Sequence, residues 1–117
     1  MDLTSTVEPR GSWTVVRVSG DLDMATAPRL RTQLVGLVTE GRSHLVLDLE
    51  PVDFVDSLGL GVIIGAIRRA RTNDGDVLLV STRPHLHRTL EVTGLTSALT
   101  LYESVDAALA AIARSGD

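Results

Sequence analysis

With 117 residues, 44% of them hydrophobic and only 3% aromatic, the chain is long enough for one domain with a core of aliphatic side chains. It contains no cysteine and no lysine, which excludes disulfides, thiolate chemistry, Cys-containing metal sites and lysine-based catalysis. The net charge of −4 argues against nucleic acid as a partner, because binding to phosphates depends on clustered cations.

The first third of the chain predicts a hairpin followed by a helix. β-favouring residues indicate two strands, over residues 3–8 and 13–19. Thr26 ahead of Ala27-Pro28 predicts a helix start with Thr26 as the N-cap, and we expect this helix to end at Gly41. Its core side is indicated by apolar residues at helical spacing, namely Leu30, Leu34, Leu37 and Val38.

Strands and helices then alternate to the end of the chain. The pattern predicts strands over residues 44–49, 76–81 and 99–102, and helices over residues 57–72, 84–94 and from Ser104 onward. We therefore expect residues 1–117 to form one α/β domain, with a mixed sheet of about five strands and about four helices.

The longest apolar run bears on membranes. It covers residues 58–67, about half of what a bilayer span requires, and the start of the chain lacks a signal-peptide pattern. We expect a soluble cytoplasmic protein that has no membrane partner.

The helix over residues 57–72 has two apolar sides. One side carries Leu60, Ile63, Ile64 and Ile67, which we expect to face the core. The opposite side carries Leu58, Gly61, Val62, Gly65 and Arg69, which predicts a smooth surface for contact with another protein. An alternative is that the glycines only permit close packing, and that Leu58 and Val62 are ordinary exposed residues.

Ser57 occupies the position where a loop enters this helix. Its hydroxyl is expected to cap the helix by accepting a hydrogen bond from a first-turn amide, which contributes about 1 kcal/mol. A phosphate on this oxygen would face those amides, whereas Asp53 and Asp56 would repel it. We therefore expect phosphorylation to be nearly neutral for folding but to disrupt a partner contact at the adjacent apolar side.

Three segments resemble the STAS domains, specifically the bacterial anti-sigma factor antagonists. Gly20-Asp21-Leu22-Asp23 followed by Thr26-Ala27 is similar to the family's G-E-L-D…T-A element. Residues 56–61, D-S-L-G-L-G, are similar to its D-S-S-G-L-G signature. Thr93-Gly94-Leu95 is similar to the family's T-G-L near the third helix. The resemblance extends over nearly the whole chain.

The resemblance implies a switch between partners. It implies that Ser57 is phosphorylated by a cognate anti-sigma factor of the GHKL serine-kinase type, and that a PP2C-type phosphatase removes the phosphate. The unmodified chain would bind the anti-sigma factor and thereby release a sigma factor for transcription. Asp21, Asp23 and Asp56 would lie beside the serine in this partner-binding surface.

Two residues depart from the family pattern. Asp21 replaces the commoner glutamate, and Leu58 stands where many members have a second serine or threonine. We keep Ser57 as the phosphorylation site because it directly follows the aspartate. An alternative function is a STAS scaffold or a small-ligand or lipid-transport module without a phosphorylation cycle.

Enzyme functions have weaker support. Asp21-Leu22-Asp23 is similar to the start of a phosphatase nucleophile motif, but Ala25 replaces its Thr or Val. The surroundings of Ser57 lack the first glycine of G-x-S-x-G, and His85 and His87 have no Cys or further neighbouring His with which to bind a metal. We expect no catalytic activity, no cofactor and no metal.

Overall fold

Strands and helices alternate through the computed structural model, which describes residues 2–94 and 99–114. The strands within these residues are β1 (Leu3–Arg10), β2 (Trp13–Leu22), β3 (His44–Asp48), β4 (Val52–Val55), β5 (Asp76–Val80) and β6 (Leu101–Tyr102). The helices are α1 (Ala27–Thr39), α2 (Ser57–Thr72), α3 (Pro84–Val92) and α4 (Val105–Arg114). None of the helices in this described part is long and apolar enough to cross a membrane.

All the described strands form one mixed sheet. Its main order is β1-β2-β3-β5-β6, and β4 pairs with β2 outside this path. The β1-β2 pair is an antiparallel hairpin, whereas all other neighbours are parallel. The predicted α/β class, the opening hairpin and the mixed sheet are therefore confirmed.

Successive side chains of the central strands point to opposite faces of the sheet, and an apolar cluster lies on each face. Val16 of β2 belongs to the larger cluster, which also contains core residues of α1, α2 and α3. Val15, the preceding residue, belongs to a smaller cluster with Val105 and Ala108 of α4. The helix expected from Ser104 onward is confirmed, and Ser104 caps it, since the Ser104 hydroxyl accepts a hydrogen bond from the Ala107 amide at 3.0 Å.

The structure corrects the sequence analysis in two strand assignments. β4 was not predicted because its four residues do not alternate: Val52 and Val55 are buried, whereas Asp53 and Phe54 are both exposed. The last strand was predicted over residues 99–102, but β6 is only Leu101–Tyr102. Leu95, which belongs to the T-G-L resemblance, lies outside the described residues.

The pairing of β2 with two different strands positions the site described below. Residues Thr14 to Arg17 of β2 pair with β3, and residues Gly20 to Leu22 pair with β4. The register shifts at Gly20, whose φ of +106° favours glycine. Because Leu22 pairs with Val55, the segments that follow β2 and β4 leave the sheet side by side.

Candidate functional site

Asp56 connects the two segments that leave the sheet. One carboxylate oxygen, Oδ1, accepts a hydrogen bond from the Gly59 amide at 2.8 Å. The other, Oδ2, accepts one from the Met24 amide at 3.0 Å, and the Asp56 amide donates to the Leu22 carbonyl at 3.1 Å. The start of α2 is therefore fixed to the loop after β2 through both carboxylate oxygens of one residue.

The expected capping role of Ser57 is wrong. Asp56 is the N-cap of α2, with an extended backbone (φ −95°, ψ −176°), and its carboxylate already occupies the Gly59 amide. Ser57 is the first residue of the helix and is exposed. Among the described residues, no group hydrogen-bonds to the Ser57 hydroxyl. Within the described residues, the Ser57 hydroxyl therefore makes no bond that stabilises the domain.

This geometry predicts that Ser57→Ala leaves stability unchanged. Because no described group bonds to the hydroxyl, we expect the free energy of unfolding to stay within about 0.5 kcal/mol of the parent. Asp56→Ala is the matched comparison and should lose about 1 kcal/mol or more, because it removes the helix cap. Urea denaturation measures both variants. A loss above about 1 kcal/mol in Ser57→Ala would show that the serine does stabilise the fold.

The loop between β2 and α1 is held by the side chains of both Asp23 and Thr26. Asp23 Oδ1 accepts hydrogen bonds from the amides of Ala25 at 2.9 Å and Thr26 at 3.1 Å. Thr26 does occupy the N-cap position, but its side chain makes no cap bond. The Thr26 hydroxyl instead donates to the Asp21 carbonyl at 2.7 Å, which corrects the predicted cap.

Titration of Asp23 should contribute to the pH dependence of stability. Desolvation, the largest single influence, raises the pKa of Asp23, but the hydrogen bonds from Ala25 and Thr26 together hold it below its ordinary value. A carboxyl with a lowered folded pKa adds stability above its unfolded pKa of about 3.9 and loses it as the pH falls through the folded value. Denaturation of Asp23→Asn should show a deficit at pH 7 that shrinks on acidification. A deficit independent of pH contradicts this prediction.

The exposure of residues in α2 agrees only in part with the two predicted sides of the helix. Leu60, Ile63 and Ile67 are buried as predicted, and Ile64 is half-buried. On the opposite side Leu58 is 56% exposed, and Gly61 is also exposed. Val62 was expected to be exposed, but it is half-buried and packs against the core because α2 also contacts α1. Gly65 and Arg69 are half-buried farther along the helix.

The glycines of α2 do not share one explanation. A methyl group at Gly59 would lie 2.5 Å from the Leu22 carbonyl oxygen, so this glycine is required by close packing. At Gly61 and Gly65, however, a methyl group would have no heavy atom within 4 Å. Close packing inside the domain therefore accounts for Gly59 only, and the other two glycines weaken the helix without an internal benefit.

Two exposed apolar residues near this helix start were not predicted. Met24 lies in the loop after β2 and is 65% exposed, and Phe54 lies in β4 and is 52% exposed. The Met24 amide bonds to Asp56, and Phe54 pairs with Asp21 across the strands. The sequence did contain one signal for Met24: it is a large apolar residue that directly follows Asp23, in a segment predicted to be a loop.

Carboxylates outnumber cations around these residues. Asp21, Asp23, Asp53 and Asp56 all lie on the segments that end or follow β2 and β4. Arg83 approaches one of them, with its guanidinium 3.5 Å from Asp53, and it also lies 3.8 Å from Glu50. We use the name serine face for the exposed parts of these segments and the start of α2, which carry Met24, Phe54, Ser57 and Leu58 together with these aspartates.

This arrangement of elements and motifs occurs in known proteins. The family model of the STAS domain matches residues 4–108. The chain belongs to the STAS domain family. The resemblance carried by residues 20–27 and 56–61 is therefore confirmed. The first segment runs from the end of β2 to the start of α1, and the second contains the cap and the first residues of α2.

This STAS domain is similar to proteins described as anti-sigma factor antagonists. An anti-sigma F factor antagonist from Paenibacillus polymyxa is 31% identical over 105 residues, which cover 89% of this chain and 90% of that protein. The crystal structure of an anti-sigma factor antagonist from Mycobacterium paratuberculosis has a TM-score of 0.85 at 34% identity, covering 94% and 93% of the two chains. The Bacillus cell fate determinant SpoIIAA in its phosphorylated form shares the fold, with a TM-score of 0.73 at 20% identity over 93% of this chain and 99% of that chain.

Proposed function

We propose that this STAS domain is an anti-sigma factor antagonist controlled by phosphorylation of Ser57. The unphosphorylated form binds a cognate anti-sigma factor in the cytoplasm and so frees a sigma factor for transcription. The anti-sigma factor is also a GHKL-type serine kinase, which supplies the ATP site, and a PP2C-type phosphatase reverses the modification. Support comes from the relatives described as anti-sigma factor antagonists.

The observation that carries this proposal is the state of the Ser57 hydroxyl. It is exposed at the start of α2, and no described residue hydrogen-bonds to it. Its backbone is nevertheless held in place, because Asp56 bonds to both α2 and the loop after β2. A kinase therefore meets a free hydroxyl on a fixed backbone, and it need not break an internal bond to reach the oxygen.

The same surface offers the contacts that a partner would need. Exposed apolar residues lie on the segments next to the serine: Leu58 follows it in α2, Phe54 precedes it in β4, and Met24 bonds through its amide to Asp56. Exposed apolar area of this kind is typical of protein contacts. Farther along α2, Gly61 and Gly65 leave room for another backbone to approach. The proposed partner-binding residues are Asp21, Asp23, Asp56, Leu58, Gly61, Val62, Gly65 and Arg69, to which the structure adds Met24 and Phe54.

Leu58→Arg should weaken the complex while leaving the domain folded. Leu58 is more than half exposed, so arginine is accepted at this helix position, but it would bring an unpaired charge into an apolar contact. Val92→Arg is the matched control, because Val92 is an 81% exposed apolar residue at the end of α3. Isothermal titration with the anti-sigma factor measures both. Equal affinities for the two variants would place the contact elsewhere.

A further inference from the structure

β1 is a long strand at the edge of the sheet, and its outer side pairs with no other described strand. β1 has eight residues and lies at one end of the sheet order, whereas the opposite edge among the described strands, β6, has only two. Its first five residues, Leu3 to Val7, carry no charge and no proline. Natural sheet edges are usually blunted by short strands, charges or proline. In β1 such residues are confined to Glu8, Pro9 and Arg10 at its end, so the first five residues are suited to pairing with another strand.

Three observations show which backbone groups of β1 point outward. Arg10 and Trp13 flank a two-residue turn and must bond to each other, so alternate residues from Arg10 backward bond to β2. Gly20, the partner of Leu3, donates its amide away from β1 to the Pro51 carbonyl at 3.2 Å. Pro9 has no amide to give β2. The outward groups therefore belong to Leu3, Ser5, Val7 and Pro9.

From these groups we infer that β1 pairs with β1 of a second copy of this chain. In the antiparallel register centred on Thr6, Ser5 lies opposite Val7 of the other copy, and each exchanges its amide and carbonyl with the other. Leu3 lies opposite Pro9 of the other copy and donates its amide to the Pro9 carbonyl. Every outward amide of the strand then has an outward carbonyl as its partner.

The one carbonyl left over in this register already has a donor. Pro9 cannot donate to the Leu3 carbonyl of the other copy, because proline lacks an amide hydrogen. Within each chain, the Arg29 guanidinium donates to that Leu3 carbonyl at 3.3 Å. The Leu3 carbonyl therefore has a donor even where Pro9 of the other copy supplies none, so the missing amide of Pro9 leaves no carbonyl of this edge unpartnered in this register.

Charge also fits the same register. Asp2 lies opposite Arg10 of the other copy, and the two-fold symmetry repeats this pair at the other end. Arg10 is exposed, and its present partners Glu8 and Asp106 are exposed as well, so it can reach a new carboxylate. The contact is isologous and consumes both edges, which limits the assembly to a dimer.

The first test removes one outward amide. Sedimentation velocity of the parent chain, up to about 1 mM, should show a concentration-dependent dimer and nothing larger. Val7→Pro should be monomeric over the same range, because proline fits an edge strand but cannot donate. Val7→Thr, which keeps the amide, should dimerise like the parent. A monomeric parent, open-ended association, or a Val7→Pro variant that still dimerises would overturn the inference.

A charge exchange tests the register without altering the backbone. Asp2→Arg and Arg10→Asp should each weaken the dimer several-fold, because each places like charges opposite one another. The double variant should regain the parent's dimer affinity, and so should an equimolar mixture of the two single variants. The single variant Arg10→Asp and the double variant both lose the contacts of Arg10 to Glu8 and Asp106. The loss of those contacts therefore cannot explain why the double variant dimerises better than the single variant. Absence of rescue would overturn the proposed register.

Discussion

Phosphorylation of Ser57 is expected to lower the affinity for the anti-sigma factor by roughly two to nearly four decades. The phosphate would carry about −1.5 to −2 charges next to Leu58, and the surrounding serine face already holds four aspartates. An unpaired charge buried in an interface costs about 3–5 kcal/mol, which gives this range. Titration of the phosphorylated and unmodified chains measures the change directly.

The free domain should tolerate the same phosphate. Attraction to the start of α2 contributes up to about 2 kcal/mol, and repulsion from the neighbouring aspartates is of similar size. Amide chemical shifts should therefore change only in the loop around Asp23 and at the start of α2. Shifts that extend through α4, on the other face of the sheet, would instead show a conformational switch.

Gly59→Ala is expected to reduce the free energy of unfolding by about 3 kcal/mol, the upper end of typical overpacking effects. The added methyl group would lie 2.5 Å from the Leu22 carbonyl oxygen and 2.7 Å from Leu22 Cγ. Leu22 is fully buried and its carbonyl accepts the Asp56 amide, so neither group can withdraw easily. Chemical denaturation measures the loss.

Gly61→Ala is the matched control on the same helix. No heavy atom lies within 4 Å of its added methyl group, and alanine favours helix by up to about 1 kcal/mol over glycine. This variant should therefore be at least as stable as the parent. If Gly61 leaves room for a partner, the Gly61→Ala variant should also bind the anti-sigma factor more weakly than the parent. Destabilisation by Gly61→Ala, or tolerance of Gly59→Ala, would contradict the packing described for α2.

The sequence predicted those features that depend on local periodicity. Leu60, Ile63 and Ile67 recur at helical spacing, and their burial follows from that spacing. The N-cap was less predictable, because Asp56 and Ser57 are adjacent and both residue types are favoured caps. Which of the two residues caps the helix depends on the backbone, because β4 pairs with β2 up to Val55 and leaves Asp56 extended. The position of β4 could not be predicted, since its burial pattern does not alternate as expected for a strand.

Exposure on the serine face depends on contacts distant in sequence. Phe54 lies in a strand that, among the described strands, pairs with the last residues of β2 alone. Met24 is held through its amide by Asp56. Neither relationship is visible in a single sequence. Burial of Val62 also arises from tertiary packing, since α1 lies beside α2 and widens the side that the helix buries.

The most direct measurement of the account is intact-mass analysis with phosphopeptide mapping after incubation with ATP and the cognate anti-sigma factor kinase. We predict one phosphate on the parent chain, located at Ser57, and none on Ser57→Ala. The Ser57→Ala variant should still bind the anti-sigma factor, because no group in the described part of the chain bonds to the hydroxyl. A phosphate on Ser81, Ser104 or a threonine, or an unmodified parent chain that binds constitutively, would contradict the account, and the latter result would indicate a scaffold without a phosphorylation cycle.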